Sequence, residues 1–269
     1  MIFQPKAGKS TRCSKQGNCH AEAGRRRNGI RSQQLLLTQY DSDKITNGYL
    51  RWYDPMFEPW VNKKINLLEL GVYKGGSLLL WRDYFPYATV VGIDLNLPKD
   101  FKPGNRIHLF EGSQTDIQFL SRTANEIAPD GFDIIIDDAS HIGELTKTAF
   151  WHLFDNHLKP NGLYAIEDWG TGYLDDWPDG KGLDLETYSE PKSRDGLSCL
   201  NKLKKVWTKT PLRSHSHGMV GFIKQLIDEQ GAGNATKRKL EGKPKRGSRF
   251  ENMLITPGVV FISKTAHES

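Results

Sequence analysis

Two short apolar runs in this chain end in acid. Ile134, Ile135 and Ile136 lead into Asp137 and Asp138, with His141 three residues further on, and Tyr164, Ala165 and Ile166 lead into Glu167 and Asp168. Carboxylates brought together without partners repel one another and raise their own pKa values. A bound divalent cation removes that cost, and oxygen ligands select Mg²⁺, Mn²⁺ or Ca²⁺ over zinc. An imidazole beside such a cation is suited to act as a general base. Pairing with Lys or Arg, or capping of the following helices, would explain one acidic pair more easily than two.

A second group lies upstream in "LLELGVYKGGS" (67–77), where Glu69, Gly71, Tyr73, Gly75, Gly76 and Ser77 follow an apolar run. Glycines there allow a tight turn and a close approach to a ligand beside a helix N-terminus. Tyr73 occupies the second glycine position of the dinucleotide pattern, which disfavours an NAD-dependent sugar oxidoreductase. Asp94, at the end of "VVGID", is placed to accept the ribose hydroxyls of an adenosine-type ligand. A carboxylate inside the turn, Glu69, repels a pyrophosphate but suits a ligand with an ammonium group, as in S-adenosylmethionine. Ser113, Gln114 and Asp116 follow the next apolar run and could bond an adenine edge.

Positioning these groups requires a sheet. Apolar runs at 65–72, 89–96, 106–113, 132–140 and 162–169 alternate with helical periodicity at 75–85, 116–127 and 143–158. That alternation predicts a mainly parallel sheet with helices on both faces. All the residues named above then fall at carboxyl ends of strands, where open sheets bind ligands. Lys159-Pro160-Asn161-Gly162 predicts a turn before the fifth strand. Residues 249–264 predict an antiparallel hairpin around Thr256-Pro257-Gly258, and 217–230 predict a helix. The aromatic stripe in "NGYLRWYDPMFEPW" (47–60) reads as a helix capping the sheet or as a substrate wall. Residues 170–195, rich in Gly, Pro and Asp, read as a lid loop.

The net charge of +5 is unevenly placed. Residues 1–34 carry eight Lys/Arg and one acid, residues 232–249 seven and one, so the remainder is acidic by about eight charges. The first segment reads as a disordered basic tail before a domain at 35–269, the second as a basic loop. A nucleic-acid-binding protein would spread its basic residues over a folded face, so that class is disfavoured. No run approaches the roughly 18 apolar residues of a membrane helix. The N-terminus lacks the apolar core of a secretory signal, and Cys13, Cys19 and Cys199 are too few and scattered for a disulfide framework; Cys13, Cys19 and His20 invite a zinc reading, which the lack of a second ligand pair disfavours. A reduced, cytoplasmic setting is expected, with self-association left open.

"SDKITNGYLRWY" (42–53), "LLELGVYKGGSLLLWRDYFP" (67–86), "VVGIDLN" (90–96), "FDIIIDDASH" (132–141) and "LKPNGLYAIEDWGTGY" (158–173) resemble the metal-dependent sugar O-methyltransferases of macrolide biosynthesis, the macrocin and mycinamicin enzymes. The wider group includes rhamnosyl O-methyltransferases and proteins called cephalosporin hydroxylases. The resemblance spans roughly 38–170 and fades after Tyr173. It implies a class I, Rossmann-like methyltransferase with a seven-stranded sheet ending in an antiparallel hairpin. It implies Mg²⁺ or Mn²⁺ on Asp138, Glu167 and Asp168 and His141 as catalytic base; beside it, the reading of the strand ends assigns Glu69, Gly71, Tyr73, Gly75, Ser77, Asp94, Ser113, Gln114, Asp116 and Asp137 to S-adenosylmethionine. The acceptor implied is a sugar hydroxyl of a glycosylated natural product or glycolipid. A catechol-like phenol is the alternative, because a chelating diol serves both.

Overall fold

The structure is a computed structural model that describes residues 30–181, 216–237 and 239–266. Seven strands form one sheet: β1 (Asn66–Leu70), β2 (Thr89–Asp94), β3 (Ile107–Glu111), β4 (Phe132–Asp137), β5 (Leu158–Glu167), β6 (Phe250–Ile255) and β7 (Val259–Lys264). Their order is β3-β2-β1-β4-β5-β7-β6. The first five are parallel, and β7 pairs antiparallel with both β5 and β6, as the hairpin expectation required. The order reverses between β1 and β4, so the turns that leave these two strands open a crevice.

Central strands buried on both faces need apolar residues at every position. Leu67, Leu68, Leu70, Ile134, Ile135 and Ile136 are all buried. Ile134 and Ile136 of β4 pack with Leu67, Val90, Trp81 and Phe261 on one face, whereas Ile135 packs with Leu68, Phe150 and Tyr164 on the other. The second face is covered by α4 (Ile117–Ile127), α5 (Gly143–Asn156) and a later helix, Gly218–Gln230. The first is covered by α3 (Gly76–Tyr84) and by α2 (Leu50–Phe57), which presents Tyr53 and Phe57 to Trp81 and Phe261. The aromatic stripe is therefore a covering helix. Just before it lies α1 (Asp43–Thr46), a single turn.

Three boundaries differ from the sequence reading. Residues 31–34 are a 3₁₀ turn held by Arg31 bonds to the Tyr84 and Asp83 carbonyls and by Ser32 on Asp54, so the domain begins before residue 35. Residues up to 29 lie outside the described residues. The Pro160-Asn161 turn is a bulge inside β5: Phe132 pairs with Leu158 and Ile134 with Leu163, with Asn161 left-handed at φ 60°. In the basic segment 232–249, Arg246 and Arg249 pair with Glu229, and Arg249 also reaches Asp155. Among the described residues no helix is long and apolar enough to cross a membrane.

Candidate active site

Asp138 follows β4 and His141 follows it by three residues. Asp168 follows β5. One ligand atom from each of Asp138, His141 and Asp168 lies within 4.8 Å of the others. His141 and Asp168 have left-handed backbones, φ 52° and 50°. Successive strand residues face opposite sides, so Glu167 and Asp168 would diverge if β5 ran on. The left-handed Asp168 breaks that alternation, and both side chains meet tyrosines of the same covering segment. Tyr49 donates to Asp168, and Tyr53 donates to Glu167 Oε1 at 2.5 Å. Backbone strain of this kind persists only where the surroundings enforce it.

Behind this trio lies Lys44 of α1, with its side chain 1% exposed. Its Nζ is 2.6 Å from Asp138 Oδ2, 3.1 Å from Glu69 Oε1 and 3.3 Å from Glu167 Oε1. Burial alone would push the lysine pKa down, but Asp138, Glu167 and Glu69 outweigh it and hold it well above its ordinary value. One ammonium cannot neutralise four carboxylates. Burial, and then Asp138, push Glu167 well above the usual carboxylate range against the pull of Lys44 and Tyr53. Its Oε2 is buried and has no hydrogen-bond partner among the described residues. Hard carboxylate oxygens, surplus negative charge and an orphaned buried oxygen fit a divalent cation.

Asp138 and His141 of the trio line a cavity of about 770 Å³, together with Lys44, the turn after β1, and Asp94, Ser113 and Gln114. Gly71, Tyr73 and Ser77, which the sequence reading assigned to the donor, also line it. Asp94 Oδ2 accepts from the Val72 and Tyr73 backbone N–H groups at 2.7 and 3.1 Å, so it fastens the glycine turn while facing the cavity. Gln114 is 8% exposed and its Nε2 lacks a partner among the described residues. That is a donor left over for a ligand.

The glycines serve close packing of the protein on itself. A Cβ on Gly71, whose φ is +92°, would lie 2.1 Å from the Asp138 carbonyl oxygen, and one on Gly76 would lie 1.9 Å from that of Asp41. The turn and the loop after β4 can meet, and residues 41–44 can close over the cavity, only because those side chains are absent.

Four expected donor-site residues face elsewhere. Glu69 is fully buried and takes Ser77 Oγ at 2.8 Å, Trp81 Nε1 at 3.3 Å and Lys44. Asp137 faces the opposite side of the sheet from Asp138, beside the Tyr164 hydroxyl, and burial raises its pKa to about 7. Asp116 caps α4 through the Phe119 N–H. Gly75, at φ +84°, begins α3 under the Phe101 ring. Period-two alternation could have separated Asp137 from Asp138. Lys44 was missed altogether, although four converging carboxylates required a cation from somewhere.

The described part of the expected lid is packed. Trp169–Tyr173 form a 3₁₀ turn and Pro178–Lys181 a short helix, α6. Asp179 Oδ2 accepts the Gly143 N–H at 2.8 Å and the Met219 N–H at 2.7 Å, pinning α6 to the starts of two longer helices. Residues 182–195 lie outside the described residues.

No protein-family model matches the chain. Over 203 residues it is 41% identical to mycinamicin VI 2''-O-methyltransferase of Micromonospora griseorubida, covering 71% of this chain and 48% of that enzyme. Over 191 residues it is 36% identical to demethylmacrocin O-methyltransferase of Streptomyces fradiae, covering 66% and 45%. The chain thus spans about half the length of the curated relatives it matches. Among solved structures, the MycE methyltransferase in complex with Mg, SAH and mycinamycin VI is similar at 28% identity and a TM-score of 0.62, over 89% of this chain and 55% of that one. The class I, Rossmann-like methyltransferase fold expected from the sequence is the fold observed.

Proposed function

We propose, for a chain homologous over its sheet to sugar O-methyltransferases of macrolide and tetracenomycin pathways, a divalent-metal-dependent transfer of methyl from S-adenosylmethionine to a sugar hydroxyl. The acceptor class proposed is a glycosylated natural product or glycolipid, and the setting proposed is the cytoplasm. The observation that carries the reading is the convergence of Asp138, His141 and Asp168, the first two of which line a cavity that Asp94 and the glycine turn also line.

Asp138, Asp168 and Glu167 would hold the cation. Asp94, Gln114 and Ser113 would hold the donor's adenosine, and Gly71 and Tyr73 would lie along it. When bound, the cation supplies Lewis acidity that lowers the pKa of a coordinated hydroxyl, and the donor supplies an electrophilic methyl group. His141 Nε2 would accept the hydroxyl proton as the oxygen–methyl bond forms. Lys44, Tyr49 and Tyr53 fix the carboxylates in place, and alignment of the reacting groups provides most of the acceleration.

A second reading of one residue has an observation in its favour. His141 Nε2 lies 3.8 Å from Asp138 Oδ1 and belongs to the converging trio. An imidazole there could be a metal ligand, leaving solvent to take the proton. Incubating the protein and Mg²⁺ with labelled S-adenosylmethionine and a panel of glycosylated acceptors tests the function. Label in a sugar O-methyl ether supports it, and an inert panel together with no donor binding by calorimetry would remove it.

A further inference from the structure

Asp138 divides its two oxygens between different neighbours. Oδ2 contacts the buried Lys44 ammonium at 2.6 Å, and Oδ1 faces His141 Nε2 at 3.8 Å. The acid cluster therefore has two halves joined by a shared carboxylate. The outer half is Asp138, His141 and Asp168. The inner half is Asp138, Glu69 and Glu167, whose Glu side chains are 0% exposed and all of which lie within 3.3 Å of Lys44 Nζ.

Two cation positions bridged by a carboxylate are the arrangement of two-metal centres, whose ions lie about 3.5–4 Å apart. Here the inner position holds an ammonium supplied by the chain. We propose that Lys44 is a built-in counter-ion that occupies a second cation position, so that the cluster accepts a single divalent ion at its outer half. The inference rests on the metal reading of that outer half.

The chemistry favours this role over simple space-filling. A buried ammonium with three carboxylate oxygens around it meets its three donor hydrogens with three acceptors. A fixed single charge at that point holds Asp138 by one oxygen and leaves the other for the exchangeable ion. It also holds Glu167 by Oε1, leaving Oε2 without a hydrogen-bond partner among the described residues. Shortening the side chain to serine opens the inner position and leaves Glu69, Glu167 and Asp138 with no cation of their own. The geometry that held an ammonium can then contract around a divalent ion, because carboxylate oxygens are its preferred ligands. Lys44 is thus a positioning residue, acting on the metal through Asp138 and Glu167.

The test counts ions in the full chain without donor or acceptor, using Mn²⁺ as the probe. Free Mn²⁺ is quantified by electron paramagnetic resonance during titration, and the bound spectrum is recorded. The wild type should take up one Mn²⁺ per chain and show the spectrum of an isolated ion. Lys44→Ser should take up two and show the spin coupling of a close pair, which a merely structural role would not produce. Lys44→Arg, which keeps the charge, should return to one. One ion in both wild type and Lys44→Ser overturns the proposal while leaving the metal site standing. No Mn²⁺ binding by the wild type removes the metal reading itself, and the Lys44 role with it. Should Lys44→Ser fail to fold, the wild-type count at saturating Mn²⁺ still decides, since two ions in the wild type overturn the proposal.

Discussion

The rings of His141 and Trp177 meet edge to face, with centroids 5.4 Å apart and planes 73° apart. Trp177 leads into α6, which Asp179 ties to the start of α5. The segment after the second acidic pair thus buttresses the imidazole that follows the first. Such ring pairs are worth about 0.5–1.5 kcal/mol. Trp177→Ala should therefore lower kcat by roughly 3–10-fold with the donor dissociation constant unchanged. Steady-state kinetics with parallel donor calorimetry checks this. Unaltered kcat would mean that His141 is held without the tryptophan.

Asp94 should matter to the donor in two ways, because its carboxylate faces the cavity and also takes two backbone N–H groups of the glycine turn. Asp94→Ala should weaken S-adenosylmethionine binding by roughly 1.5–3 kcal/mol, the worth of a hydrogen bond to a charged group. Calorimetric titration measures it. An undiminished affinity would leave Asp94 as a turn-fastening acid alone.

Stability at acid pH should report on a site far from the cavity. Burial would raise the Glu229 pKa, but hydrogen bonds from Arg246 and Arg249 outweigh it and lower the value to about 2. With its folded-state pKa below the unfolded one, Glu229 contributes stability that is complete above about pH 4.5 and is lost as pH falls through about 2. Glu229→Gln should cost about 1–3 kcal/mol at pH 7, allowing for the partly exposed arginines, and much less near pH 2. Urea denaturation at the two pH values decides it; an equal cost at both would mean that packing, not charge, is what the variant loses.

The role of His141 separates by measurement. As a base, it can be replaced by alanine with donor and metal binding nearly intact, while kcat falls by about 10²–10⁴. As a ligand, its replacement should weaken Mg²⁺ binding. Retained turnover with retained metal affinity would exclude both roles.

The order of elements was legible because each central strand is a mostly apolar run and each covering helix keeps its 3.6-residue period. The acidic strand ends were legible for the same reason, since carboxylates that follow an apolar run such as Ile134, Ile135 and Ile136 mark where the strand stops. Which way each acid turns was harder to read. Asp137 and Asp138 separate by strand alternation, but Glu167 and Asp168 are brought to one side by a left-handed residue that carries no glycine or asparagine to announce it. Lys44 meets Asp138 across 94 residues of chain. No local pattern around a lysine in a one-turn helix signals a contact of that range. The fate of Glu69 was hidden with it: that acid was assigned to a ligand's ammonium and contacts the protein's own.

The most direct test is methyl transfer before and after metal removal. Labelled S-adenosylmethionine and a glycosylated acceptor that takes up label in the panel above are incubated with protein stripped by EDTA and then dialysed. Transfer should stop in the stripped protein and return when Mg²⁺ or Mn²⁺ is added, because Asp138, Glu167 and Asp168 carry more negative charge than Lys44 can balance. Full turnover in thoroughly demetallated protein would contradict the metal-dependent reaction and leave the acid cluster as a structural ion-pair network around Lys44.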